Sequence, residues 1–236
     1  MDLIADLHTH TLASSHAYGT VHEMAHAAAQ KALYAIAITD HGIALPDAPY
    51  MWHFENLRVL PNEIEGVRIL RGIEANILNS EGLLDMPDKL LAKLDFVVCS
   101  AHVPTMGCNS TVDECTNAYL RLLDHPHVDA LGHTGDPRFA YDMDTVVAVA
   151  AEKGKLIELN NTSLTARKGS FDNCLTIAKL CVKYGTLVVI NSDAHTPDQV
   201  GVFDDIMQIV ETAQIPQSQI INASIDSLND YLGRNH

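Results

Sequence analysis

Asp6-Leu7-His8-Thr9-His10 closes the first apolar, extended stretch of the chain, Leu3–Leu7, and the same arrangement recurs to the far end of the sequence. Further strand-like runs lie at Tyr34–Thr39, Arg68–Ile73, Asp95–Ser100, Val128–Gly132, Leu156–Asn160 and Leu187–Asn191. Asp40-His41 ends the second run, Glu74 the third, His102 the fourth and His133 the fifth. Asn160-Asn161 end the sixth, and Ser192-Asp193-Ala194-His195 the seventh, while His16 lies deeper in the loop after the first. All but the sixth therefore finish in a residue type that binds transition metals. The H-x-H spacing of His8 and His10 places both imidazoles on one side of an extended strand.

Helical patterns fill the gaps, at Val21–Ala32, Met86–Lys93, Val112–Leu123, Asp144–Lys153, Asp172–Tyr184 and Asp204–Thr212. Thr20, three residues before Glu23, forms a capping-box signature for the first of them. Continuously apolar strands suit a parallel sheet covered on both faces. Seven such units with a final helix favour an irregular (β/α)7 barrel, with a doubly wound open sheet as the alternative. In a parallel barrel the C-terminal strand ends share one face, so residues distant in sequence converge on one pocket. Imidazole and carboxylate together suit zinc, manganese or iron. Each histidine alone reads equally well as a strand-end residue. Their recurrence at one topological level, where buried polar groups are costly without partners, favours a metal site.

The bulk composition agrees. With 236 residues, 47% hydrophobic and 19% charged, the chain reads as a single globular domain spanning 1–236. No run approaches the apolar length of a membrane span, and the N-terminus lacks the features of a secretory signal, so a cytoplasmic protein is expected. Five cysteines without a C-x-x-C pair suggest reduced, structural thiols. A formal charge of −15 argues against long nucleic acid as a partner.

One motif misleads. His22-Glu23-Met24-Ala25-His26 matches the H-E-x-x-H helix of zinc proteases. Glu23 already serves the cap, however, and Val21, Met24, Ala25, Ala28 and Ala32 mark the buried stripe, leaving His22 and His26 towards solvent. His125 and His127 precede the fifth strand, on the opposite face of a barrel, and read as surface residues. His53, in the loop after the second strand, is placed to line the pocket behind the ligands.

His8-Thr9-His10, Thr39-Asp40-His41-Gly42, Gly72-Ile73-Glu74, Ser100-Ala101-His102 and Ser192-Asp193-Ala194-His195 resemble, in order, the signature motifs of the PHP (polymerase and histidinol phosphatase) superfamily. The likeness is strongest to its small, single-domain bacterial phosphatases. It implies an irregular (β/α)7 barrel with two or three divalent ions at the C-terminal face, zinc foremost, manganese or iron as alternatives. By this resemblance one ion is held by His8, His10, Glu74 and Asp193. Glu74 bridges to a second on His102 and His133, and a third sits on His16, His41 and His195.

The chemistry implied is hydrolysis of a small anionic phosphomonoester by water activated at the ions. Glu74 and Asp193 set the ion spacing and, with Asp40, form the expected catalytic carboxylates. Asp40 reads either as a carboxylate orienting an imidazole or as a strand-end cap. Arg138, Arg167 and Lys168 lie in loops on the active face as candidate phosphate donors, against the alternative of solvated charge. Asn160 and Asn161 are placed either to bond substrate or to finish the strand. The loop Ala44–His53, with Tyr50, Met51 and Trp52, forms either a lid or a part of the rim. Competing readings are a phosphodiesterase or exonuclease, an amidohydrolase, and a non-catalytic metal-binding regulatory module. The first is weakened by the lack of basic stripes and interleaved aromatics.

Overall fold

A computed structural model describes residues 1–107 and 109–235. Seven parallel strands form one sheet in the order β1 (Ala5–Thr9), β2 (Ala35–Ile38), β4 (Val67–Asn76), β5 (Phe96–Ser100), β6 (Ala130–Leu131), β7 (Leu156–Asn160) and β8 (Val188–Asn191). The sheet curls until its edges meet: Thr9 and Ala194 form a parallel bridge, and the His10 amide donates to the Ala194 carbonyl at 2.8 Å. The result is the irregular seven-stranded barrel that the alternation of strands and helices predicts.

Strand alternation divides the core into layers. Ala5, Ala35, Ala37, Leu70, Phe96, Val98, Ala130, Leu156 and Val189 pack together within the barrel, with Leu228, Tyr231 and Leu232 of the helix Ile225–Asn235 in the same cluster. Residues of opposite parity, among them Val97, Cys99, Leu131, Ile157, Leu159 and Ile190, pack against the surrounding helices. The inner layer is narrow. A Cβ at Gly72 would lie 2.7 Å from the Phe96 carbonyl oxygen, and one at Gly132 would lie 2.2 Å from Ser100 Oγ, so a side chain at either position would break the barrel's spacing.

Among the described residues, the alternation fails in β1, and the site depends on that failure. The register against β2 shifts between Asp6 and Thr9, so that three steps along β1 match two along β2. Such a bulge places one extra residue on the strand and re-aims its side chains. Leu7 joins the inner cluster while its neighbour His8 also turns inward to reach Glu158. Strict alternation would have sent the two to opposite faces.

The helix Val21–Gln30 starts with the expected capping box: Glu23 N donates to Thr20 Oγ1, and Thr20 N donates to Glu23 Oε2. A second box, Thr111 with Glu114, opens Val112–Leu123. Caps of this kind contribute about 1 kcal/mol each. Met24, Ala25 and Ala28 are buried and His22 and His26 exposed, as the stripe requires. Ala32 departs from it: the helix stops at Gln30, and Ala32 sits exposed at φ +55 beyond the end.

Other boundaries also move. β6 keeps only Ala130–Leu131 of the predicted Val128–Gly132. A short antiparallel strand, β3 (Glu63–Ile64), pairs with β4 through the turn Glu65-Gly66, both at positive φ. Met51–Asn56 is a short helix rather than loop, with Tyr50 and Trp52 exposed. His125 and His127 are partly buried, and His125 faces Asp88 at 3.3 Å. Cys99, Cys115, Cys174 and Cys181 are free and buried, and Cys108 lies outside the described residues. Among the described residues, no helix is long and apolar enough to cross a membrane.

Candidate metal centre

At the C-terminal end of the barrel, seven separate stretches deliver the residues singled out in the sequence to one cluster. Glu74 occupies its centre. Its Oε1 lies 2.9 Å from His133 Nε2, 3.4 Å from His8 Nε2 and 3.5 Å from His102 Nε2. Its Oε2 lies 2.7 Å from His41 Nδ1 and 3.6 Å from His10 Nε2. Asp193 forms the second hub, with Oδ1 3.2 Å from His10 Nε2, 3.6 Å from His195 Nδ1 and 3.7 Å from His8 Nε2. The His16 ring lies 4.5 Å from that of His195 and 5.1 Å from that of His41, between centroids. All nine predicted ligand positions are thus brought together.

The cluster descends from solvent into the barrel. The His16 side chain is 54% exposed at the rim, whereas those of His8 and His10 are 0% exposed at the floor. Backbone geometry contributes at two corners. His133 and Asp193 adopt positive φ, +29° and +59°, an uncommon conformation for residues other than glycine and one that concentrates at functional sites.

Whether such residues fit a metal is decided by their unpaired atoms. His8 Nε2, both ring nitrogens of His10, His41 Nδ1, His195 Nε2 and Glu74 Oε2 are buried without a hydrogen-bond partner. His41 Nδ1 and Glu74 Oε2 approach closely yet lack the alignment of a hydrogen bond. Buried polar atoms almost always find partners, so this concentration of orphans around two carboxylates marks a space suited to cations. Among the described residues, four groups bring ligand atoms within 4.8 Å of one another: His8–His10–Asp193, His10–His41–His195, His41–Glu74–His102 and His16–His41–Asp47. His41 therefore stands nearer Glu74 and His102 than the family resemblance implies, and Asp47 joins the outermost group.

The electrostatics point the same way. Burial opposes charge on Glu74, yet His8, His102 and His41 hold its carboxyl well below the usual value. Asp193 is likewise held low against burial by His8, His10 and Arg167. Burial and the neighbouring His41 and His195 press His10 down to about 3. Burial, with His133 and His41 also acting downward, presses His102 to about 3 despite Glu74. Ionised carboxylates beside neutral imidazoles are the protonation states a cation requires. His8 and His41 behave differently: burial lowers both, but Glu158, Glu74 and Asp193 together raise His8 well above the ordinary histidine value, and Glu74, Asp47 and Asp193 raise His41.

Around the cluster lies a ring of supporting bonds, most of it unforeseen from sequence. His102 Nδ1 contacts Asn76 Oδ1 at 2.7 Å, and Asn76 Nδ2 donates to Asp85 Oδ2 at 2.7 Å. His16 Nδ1 contacts Asp47 Oδ2 at 2.7 Å. Glu158 meets His8 Nδ1 at 2.7 Å. The signal for Glu158 was present: it is the one charged residue within the strand Leu156-Ile157-Glu158-Leu159-Asn160. Asn160 bonds inside the protein, its Nδ2 donating to Asp193 Oδ2 at 3.2 Å, and Asn161 Oδ1 accepts from the Ile206 amide.

Asp40 is buried and serves the loop that carries His16. It accepts from the Thr11 amide, Thr11 Oγ1 and Ser14 Oγ, and contacts His53 Nε2 at 3.1 Å. The imidazole it meets is thus that of His53, not of the adjacent His41. Burial opposes its charge, but His53 and His10 with the Thr11 bond hold Asp40 down at about 2.

Above the cluster opens a cavity of about 480 Å³. Arg138 and Arg167 both line it, with Leu45, Pro46, Val103 and Pro104 as apolar wall. The Arg167 side chain is only 12% exposed; its Nη2 lies 3.4 Å from Asp193 Oδ2 and its Nε 3.8 Å from Asp136 Oδ2. Arg138 is half exposed and bonds the same Asp136, Nη2 to Oδ2 at 2.6 Å. Lys168 is exposed and is not among the residues lining the cavity; Gly169, at φ +91, separates it from the helix Ser170–Tyr184. Tyr50 and Trp52 do not line it either.

The sequence matches the PHP domain family model over residues 6–175. A probable phosphatase of Acetivibrio thermocellus is 45% identical over 234 residues, covering 99% of this chain and 97% of that protein. A probable phosphatase of Thermoanaerobacter sp. is 41% identical over 233 residues, covering 98% and 95%. Among solved structures, the histidinol phosphate phosphatase of Lactococcus lactis, crystallised with zinc, L-histidinol and phosphate, superimposes with a TM-score of 0.65. It is 16% identical, with 92% of this chain and 95% of that chain covered, a likeness of fold.

Proposed function

The chain belongs to the PHP domain family, and from that premise we propose that it is a metal-dependent phosphatase acting on a small phosphomonoester. The observation that carries the reading is the set of orphaned imidazole nitrogens around Glu74 and Asp193, lying beneath a cavity with two arginines in its wall. His8, His10, Glu74 and Asp193 would hold one ion, and Glu74, His102 and His133 a second. His41, His195 and His16, with Asp47 beside them, would hold a third at the rim. Bound there, divalent ions supply Lewis acidity toward water and the phosphoryl oxygens and neutralise developing charge.

The chain's own residues do the rest. Arg167, poised against Asp193 and Asp136, offers a planar set of donors to the phosphate oxygens. Asp136 bonds Arg138 and lies close to Arg167, which limits their reach to one small anion rather than a polymer backbone. Leu45, Pro46, Val103 and Pro104 keep bulk water from one side of the leaving group and give an organic alcohol a surface to pack on. The small cavity and the absence of a basic track in its lining favour a monoester over a nucleic-acid strand.

The direct test is hydrolysis of p-nitrophenyl phosphate by protein loaded in turn with zinc, manganese and iron. Turnover that a chelator abolishes and added metal restores is expected. Undiminished turnover after complete metal removal would defeat the proposal.

A further inference from the structure

Glu158 sits in the middle of β7 with its side chain 0% exposed, the one charged residue of a fully buried strand. Four donors surround it. His8 Nδ1 and Asn191 Nδ2 reach Oε1 at 2.7 Å and 2.9 Å, and the His133 amide and Asn160 Nδ2 reach Oε2 at 2.7 Å and 3.2 Å. These groups arise from β1, from β8, from the turn after β6 and from β7 itself. No part of Glu158 lines the cavity, so it has no path to substrate.

We propose that Glu158 is a positioning residue of the metal centre, orienting through one carboxylate the two ligands, His8 and His133, that meet one oxygen of Glu74. This inference rests on the metal-dependent reading given above. An ionised carboxylate only accepts hydrogen bonds, so a neutral His8, the form that can ligate a metal, must carry its proton on Nδ1. That choice leaves the Nε2 lone pair facing Glu74 and Asp193, where Nε2 is unpartnered. The second oxygen acts on the backbone. The His133 amide donates to Oε2, and this charge-assisted bond anchors a residue whose φ of +29° is costly to hold. The His133 ring then meets Glu74 Oε1, the same oxygen that His8 approaches. A buried carboxylate behind a metal-binding imidazole also raises the basicity of that ligand.

Glu158→Gln separates this role from simple packing. The carboxamide keeps the shape but has one acceptor oxygen, and it presents two N–H donors to neighbours that are already donors. Where its nitrogen faces His8, the imidazole pairs with it only by shifting its own proton to Nε2, which removes the lone pair a metal needs. Wild type, Glu158→Gln and Glu158→Asp, as full-length chains with folding checked by circular dichroism, are titrated with Co²⁺ against a competing chelator. Their visible absorption spectra are recorded alongside.

We expect Glu158→Gln to bind Co²⁺ about 10–100-fold more weakly than wild type, with shifted ligand-field bands. Glu158→Asp keeps the charge, one methylene withdrawn, and should regain part of the affinity. Should Glu158→Gln not fold, the comparison of Glu158→Asp with wild type decides, weaker binding and shifted bands being expected. Folded variants with wild-type affinity and an unchanged spectrum would overturn the proposal and leave Glu158 a packing residue. A wild-type protein that binds no Co²⁺ would overturn the metal-dependent reading itself, and this inference with it.

Discussion

Replacing Asp193 with Asn is expected to remove the ion from the floor of the cavity and to lower phosphatase turnover by about 10³-fold or more. The figure follows from metal catalysis contributing several kcal/mol, at roughly 1.4 kcal/mol per factor of ten. Asn is the informative choice because Asp193 sits at φ +59, a conformation that Asn adopts at lower cost than Ala. Asp193→Ala would add a backbone penalty of about 1–2 kcal/mol and blur the reading. The amide preserves shape while removing the charge near His8, His10, His195 and Arg167. The test measures kcat on p-nitrophenyl phosphate and metal content on the same sample. Full metal content with wild-type turnover would remove Asp193 from the site.

Glu74→Gln should do more damage. Glu74 faces five histidines, three on one oxygen and two on the other, so it belongs to the floor and to the middle of the cluster at once. A carboxamide there replaces one anionic oxygen with an N–H donor directed at ring nitrogens. Loss of more than one ion per chain is expected, with turnover reduced at least as far as in Asp193→Asn. The stabilisation that added zinc gives wild type in a thermal melt should vanish, because ligand-induced stabilisation tracks affinity for the folded state. A Glu74→Gln protein whose melting temperature rises with zinc as much as wild type would show that Glu74 is not the shared hub.

The strand ends were the legible part. Asp40, His41, Glu74, His102, His133, Asp193 and His195 each follow an apolar run, and a parallel barrel makes "end of strand" a position in space. The long helices were legible for similar reasons: Val112–Leu123 has a capping box and a clean apolar face. The bulge that turns Leu7 and His8 inward together was not, because the H-x-H pattern fixes only that His8 and His10 share a side. Glu158 stood out as the one charged residue of its strand, but a single carboxylate in a short apolar strand carries no periodicity that assigns it a role. Asn76, Asp85 and Asp47 act through contacts between loops and strands distant in sequence, which no local pattern reveals. Short elements such as Met51–Asn56 and the Glu65-Gly66 hairpin depend on tertiary packing more than on propensity.

Lys168 and Arg167 show how fine the limit is. Neighbours in sequence, both basic, they were equal candidates for phosphate. Of the two, Arg167, the extended residue that ends the short helix Ser163–Ala166, lines the cavity and reaches Asp193, whereas Lys168 is exposed.

The central claim is that these side chains grip divalent ions. Elemental analysis of freshly purified protein by inductively coupled plasma mass spectrometry addresses it without assuming any substrate. The account predicts roughly two to three equivalents of zinc, manganese or iron per chain, reduced in Asp193→Asn and Glu74→Gln. A chain that carries no divalent metal as purified, and takes up none after incubation with each ion and removal of the excess, would contradict it.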